Sequence, residues 1–341
     1  MSASFSDLVS VGRGFLGGIF RGAPRHTGIR VFRYHGVVEK KIDELLERNH
    51  HLLHVFRAQM AYLRRFRVLG LDELLDALER PERLSMSASV VTFDDGFANN
   101  LEVAEVMQRS RLPWSLFVPA GEIGEHRALW LDELSLFLLA GDARKIEILG
   151  SAWPLTSREE RELAFSQLRA RFKRLSGPAT RRAMAELRSQ YPADESLRLI
   201  DRFPGLRMLS WRELGQLSTS GVEVGSHGFH HDMHHSEQPR DERLRELTES
   251  RRELESRLQQ RCRGFAFPNG DYVSDSPEEV GGAGYDVAFT TDSRAVSAKD
   301  SRYLLPRMAA PKSLRRFVRQ HWFKDPPPEG GRVVMAPAEA K

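Results

Sequence analysis

The chain has 341 residues, is 40% hydrophobic, and carries a formal net charge of +4 with a pI near 9.3. That is ample material for one large core, or one core with an insertion. The single cysteine, Cys262, excludes an internal disulfide. The mild basicity selects no nucleic acid partner, and no nucleic-acid-binding motif is present.

No stretch reaches the roughly 18 apolar residues needed to cross a bilayer. The first segment, residues 1–28, places Phe5, Leu8, Val9, Leu16, Ile19 and Phe20 near a helical period among Arg13, Arg21 and Arg25. Four glycines and Arg13 break it, so it reads as an amphipathic segment and not as a signal peptide. A cytoplasmic location is the resulting expectation. Basic amphipathic helices can also lie on a membrane surface, which leaves peripheral membrane contact open beside packing on the domain.

Arg30 to Tyr34 reads as a first strand that ends at His35. Phe56, Met60, Leu63 and Phe66 then form a helical stripe, Val68-Leu69-Gly70 a short strand, and Asp72 caps a helix holding Leu74, Leu75 and Leu78. The run Val90-Val91-Thr92-Phe93 is apolar and short, and it delivers Asp94, Asp95 and Gly96 to a strand end. Two carboxylates so close need a cation or a shared proton, unless they serve only as turn formers and a helix cap. A helix from Asn99 to Ser110 and a strand from Trp114 to Val118 follow.

Strand–helix alternation implies a parallel sheet. It pauses over residues 120–208, a charged stretch read as a mostly helical insertion, with a capping box at Ser157 and Glu160 and a helix opened by Thr180. It resumes at Ser210 and reaches the strand Val222-Glu223-Val224. That strand runs into Gly225-Ser226-His227-Gly228-Phe229-His230-His231, and five of the 12 histidines fall in residues 221–235. His227 and His231, four apart, can share one metal, or can belong to a solvated histidine-rich loop. A helix over residues 240–261, a strand Gly264–Phe267, the turn Pro268-Asn269-Gly270-Asp271-Tyr272, a helix 277–283, a strand 286–290 and a closing element 304–308 complete the pattern. A C-terminal helix is expected over 312–325, with Leu314, Phe317, Val318, Trp322 and Phe323 as its stripe. A proline- and alanine-rich tail follows over 326–341.

Thr92-Phe93-Asp94-Asp95-Gly96 followed by His227-x-x-x-His231 resembles the polysaccharide deacetylase family, the NodB-homology domain of carbohydrate esterase family four. The resemblance spans about residues 30–310. It implies an α/β fold, a distorted (β/α)7-8 TIM-like barrel over 29–311 with the helical insertion at about 120–208. It also implies a hydrolase of carbon–nitrogen bonds that removes N-acetyl groups from sugars of a polysaccharide or a lipid-linked saccharide. On that resemblance Asp94 is the general base, and Asp95, His227 and His231 hold a divalent metal, Zn²⁺ first, with Co²⁺ or Ni²⁺ as alternatives. Asn269 supplies an oxyanion-binding N–H, and Phe267, Pro268 and Tyr272 line the substrate groove; Trp130, with Asp132 and Glu133 beside it, either lines that groove or anchors the core.

The sequence departs from the family at three places. Where the family carries an arginine that holds the base there is Ala266, and Arg307 is the candidate replacement. The late histidine that acts as acid is missing, which makes His35 the first candidate and His230 the second. Gly228 stands where a serine or threonine usually supports the metal. These gaps keep two alternatives open: a metal-bearing, catalytically poor carbohydrate-binding protein, and a deformylase or other amidase acting on another amino sugar. The oligomeric state is not legible.

Overall fold

Strands rich in β-branched and aromatic residues, each followed by a helix, form the frame. The computed structural model describes residues 28–124 and 127–322. The expected N-terminal segment and proline-rich tail lie outside these residues. Seven strands make one parallel sheet: β1 Ile29–Tyr34, β2 Ala88–Phe93, β3 Ser115–Val118, β4 Glu223–Ser226, β5 Gly264–Ala266, β6 Val287–Phe289 and β7 Met308–Ala309. They neighbour one another in chain order, and β7 pairs with β1. Leu305, just before β7, bridges Phe289 of β6. The sheet therefore curls back on itself as a distorted barrel of seven strands.

Alternation along each strand sorts side chains between barrel interior and helical coat. Ile29, Val31, Ala88, Val90, Phe117, Ala266, Val287, Phe289 and Leu305 form the inner cluster. Phe32, Tyr34, Val91, Phe93, Leu116, Val118, Phe265 and Phe267 face the helices. The same alternation puts Arg33, Thr92, Asp94 and Arg307 in the polar layer above the inner apolar one.

The coat contains α1 Leu53–Leu63, α2 Leu71–Glu79, α3 Asn100–Ser110, α8 Trp211–Thr219, α9 Arg240–Leu258, α10 Ser276–Gly282 and α11 Leu314–Trp322. Between β3 and α8 the insertion supplies α4 Trp130–Ala140, α5 Arg158–Phe172, α6 Gly177–Arg188 and α7 Glu195–Arg202. The capping boxes Ser157–Glu160 and Ser210–Glu213 open α5 and α8. Several local expectations differ. Gly70, not Asp72, precedes the first turn of α2, and Thr180 lies inside α6, which starts at Gly177. Val68 makes only an isolated bridge to Ser89. The insertion is not only helical: Lys145–Ile148 pairs antiparallel with Ser151–Pro154, turned by Leu149 and Gly150 at φ of 52° and 71°.

α11 buries Phe317, Val318 and Trp322, and Phe317 packs on Phe32 at 4.7 Å between ring centroids. These residues of its expected stripe pack on the domain, and Phe323 lies outside the described residues. Among the described residues no helix is long and apolar enough to cross a membrane.

Candidate metal and catalytic site

Backbone conformation marks the site before any side chain is considered. Six non-glycine residues among those described have positive φ: Asp95, Arg111, Leu149, His231, Gln259 and Asn269. Arg111 and Gln259 end helices, and Leu149 makes the hairpin turn. Asp95, His231 and Asn269 have no such reason, and all three line one cavity of about 180 Å³ at the C-terminal ends of the strands. Left-handed backbone at a non-glycine residue costs of order 1–3 kcal/mol and persists where the surroundings impose it, commonly at functional sites.

Asp95 Oδ1 lies 3.5 Å from His227 Nε2 and 3.4 Å from His231 Nε2, and all three residues are buried. Charge-assisted hydrogen bonds are shorter, about 2.7–2.9 Å. Tetrahedral zinc with bonds of about 2.1 Å places neighbouring donors about 3.4 Å apart, and two imidazoles with one carboxylate are a donor set it takes. The residues therefore fit a divalent ion of the zinc kind. The His227 ring is fixed by a 2.6 Å contact from Nδ1 to the carbonyl oxygen of Ala266. So Ala266, where an arginine was expected, serves through its backbone. Nδ1 of His231 has no partner among the described residues.

Gly228 lacks the supporting hydroxyl expected after the first histidine, and the structure shows what replaces it. Its φ is +82°, and a Cβ there would stand 2.6 Å from Glu246 Oε2. Glu246, buried in α9, accepts the N–H groups of Phe229 at 2.8 Å, His230 at 2.9 Å and Asp232 at 3.3 Å. The loop that carries His231 is therefore organised around this carboxylate, which the sequence reading missed.

Asp94 faces Arg307. The guanidinium donates to Asp94 Oδ1 at 2.7 Å and Oδ2 at 2.8 Å, to Thr92 Oγ1 at 3.3 Å and from Nε to the Thr290 carbonyl at 3.1 Å. It sits over the Phe117 and Phe289 rings at 5.7 and 5.6 Å. Burial alone would raise the Asp94 carboxyl; Arg307, His227 and Arg33 together outweigh it and hold the group below its ordinary value, so it is ionised. The two imidazoles likewise overcome burial and hold Asp95 well below the carboxylate range.

His35 lines the cavity, but burial pushes its imidazole down to about 3. Burial thus disfavours the imidazolium that the expected role as acid requires. His230 is tied to Glu122 at 3.0 Å and does not line the cavity. Asn269 lines it, with Oδ1 accepting from Lys173 Nζ and Nδ2 donating to Asp271 at 2.8 Å. The four residues expected to line a substrate groove do not line this cavity. Trp130 is 7% exposed and stacks on Phe172 at 6.1 Å, because α4 is buried nearly all round. Phe267 is fully buried on the outer face of its strand against Phe265 and His234. Pro268 is buried behind Gly228, and Tyr272 leans on Phe267 at 6.0 Å. Glu133 is also structural, clamped by Arg188.

The insertion nonetheless walls the cavity, through Leu129, Leu131 and Asp132 of the α4 start and Arg169 and Lys173 of the α5 end. Burial, helped by Asp95, raises the Asp132 carboxyl to about 7. Past Lys173 and Asn269 lies a further groove of about 390 Å³ that also includes Arg174, His235 and Asp271.

A parallel barrel brings a carboxylate pair and two imidazoles together at the C-terminal rim, in an arrangement that could hold a metal ion. The chain belongs to the polysaccharide deacetylase family, whose model matches residues 83–288, and is a hydrolase of carbon–nitrogen bonds. The match contains Asp94, Asp95, His227 and His231 and stops short of Arg307. Solved structures with the same fold include the deacetylase PplD of Streptococcus pyogenes in complex with acetate (13% identity, TM-score 0.57, covering 88% of this chain and 100% of that one). IcaB from Ammonifex degensii is 19% identical, with TM-score 0.54 and coverage of 87% and 97%. A de-N-acetylase from Aggregatibacter actinomycetemcomitans is 14% identical, with TM-score 0.52 and coverage of 86% and 99%. Among curated protein sequences none matches.

Proposed function

We propose that this site removes the N-acetyl group from an N-acetylated sugar of a polysaccharide or lipid-linked saccharide. The observation that carries the reading is one cavity holding two differently committed acids: Asp94, locked to Arg307, and Asp95, facing two Nε2 atoms at 3.4–3.5 Å. Asp95, His227 and His231 would hold a divalent ion of the zinc kind, which polarises an amide carbonyl and acidifies water when bound. Asp94, already ionised, takes the proton of the attacking water as that oxygen bonds to the acetyl carbon. The turn at Asn269 offers a backbone N–H to the developing oxyanion. The carbon–nitrogen bond then breaks, acetate leaves, and the nitrogen must receive a proton.

We assign that proton to Asp132. Its carboxyl lines the cavity from the insertion side and engages no hydrogen bond among the described residues. His35 is left to orient the acetyl group. Acetate release from N-acetylglucosamine oligomers by zinc-loaded protein tests the reading. Chelation is expected to abolish release and re-addition of zinc to restore it; a chelated protein that works as well as the loaded one would overturn the metal role. Asp132→Asn is expected to cost about 10²–10⁴-fold in kcat, and His35→Gln much less. The reverse order would return the acid to His35.

A further inference from the structure

We propose that the cavity is built for an acetamido sugar that carries an anionic oxygen group, a phosphate ester or a carboxylate, received by Arg33 and Arg169. This deepens the deacetylase reading and rests on it for the acetamido part alone.

Charge on the cavity wall is the first reason. With Asp94 committed to Arg307, the wall presents Arg33 and Arg169 against Asp95 and Asp132. Asp95 in turn is turned toward the two imidazoles. A bound divalent ion would add further positive charge. A neutral sugar would leave this excess uncompensated.

The second reason is the state of the two guanidiniums. Nε of Arg33 and Nε of Arg169 are buried and have no hydrogen-bond partner among the described residues. Neither side chain forms an ion pair with a described residue. Burial acts against the charged form of both; at Arg33 the nearby Asp94 and Asp95 favour it and Arg307 opposes it, and at Arg169 Arg48 opposes it and Asp132 favours it. A buried donor without a partner costs about 1–3 kcal/mol, more when charged. Such groups in a native fold call for an explanation, and a bound ligand, ion or water is one. Contrast Arg307, whose surroundings are just as buried but whose donors meet Asp94, Thr92 and Thr290.

The third reason is placement. Arg33 rises from β1 on the barrel side and Arg169 from α5 on the insertion side, so the two stand on walls contributed by separate parts of the chain. A planar guanidinium fork suits phosphate and carboxylate oxygens, which accept two parallel N–H bonds. Lys173, held on Asn269, adds a further cation where the cavity meets the outer groove.

Calorimetric titration of the full chain tests the proposal with three probes: N-acetylglucosamine, N-acetylglucosamine 1-phosphate and N-acetylmuramic acid. The phosphate or the carboxylate sugar is expected to bind at least about tenfold more tightly than the neutral one, and whichever gains identifies the anion. Arg169→Gln is expected to lose that gain and Arg169→Lys to keep part of it, with thermal melts confirming that both variants fold. Each titration is run with and without chelator. The proposal is overturned if the three sugars bind alike, or if none binds. It is equally overturned if the gain survives in Arg169→Gln and disappears on chelation, since the anion would then sit on the metal. Acetate release is scored separately: charge-dependent binding without turnover counts against the deacetylase reading and leaves the anion site standing.

Discussion

Asp94→Asn is expected to release acetate about 10²–10⁴-fold more slowly while retaining its metal. The side chain keeps its size and can still accept from Arg307, but it can no longer take a proton. Asp95→Asn is expected to do the opposite in order of events. It removes the charged donor that faces both imidazoles, so metal is lost first and activity falls with it. The two acids are adjacent in the chain, yet they point to different partners: a guanidinium 2.7 Å away for Asp94, two imidazoles for Asp95. Metal content by elemental analysis and acetate release, measured on the same preparations, separate the two roles. Undiminished turnover in metal-loaded Asp94→Asn would remove it as the base. Equal metal loss in both variants would mean that Asp94 also holds the ion.

What could be read from the sequence follows from where residue type alone carries information. Paired acids or clustered histidines at the end of an apolar run are legible, since little else puts such groups there. The need for a cation beside Asp94 was also legible, because Ala266 leaves the base unsupported and Arg307 lies on a later strand. Side-chain direction was not. Strands of a parallel barrel are buried on both faces, so their apolar runs do not say which residue looks inward. Ala266 and Phe267 are neighbours, and the inward one is the alanine. Trp130 failed for a related reason: from Trp130 to Leu139 every residue of α4 is buried, so no stripe distinguishes cavity from core. Glu246 was hidden among the many charges of α9, and Arg169 among those of α5. Only the tertiary fold shows that one caps the histidine loop and the other faces the cavity.

The pairing of Asp94 with Arg307 should also govern stability, with a sign that depends on pH. Both side chains are almost fully buried, at 1% and 0% exposure, and the guanidinium sits over the Phe117 and Phe289 rings. Arg307→Met removes the cation and leaves a buried carboxylate without its paired charge, a change expected to cost about 3–5 kcal/mol at neutral pH. The double variant Asp94→Asn with Arg307→Met should recover much of that loss, since no uncompensated charge remains. Additive losses in the cycle would show that the two groups do not support each other. In the native protein the Asp94 carboxyl titrates below its ordinary 3.8, so its contribution is complete above that value and is lost as the pH falls through the lowered one. In Arg307→Met, burial, the largest influence on Asp94, is opposed only by His227 and Arg33; the carboxyl is then expected to rise, so the penalty grows as the pH rises above about 4 and levels off once the buried group ionises. Denaturant midpoints of chelated protein should therefore differ most near pH 7 and converge toward pH 3. A gap that stays constant across this range would assign the loss to packing around Arg307 and not to the charge of Asp94.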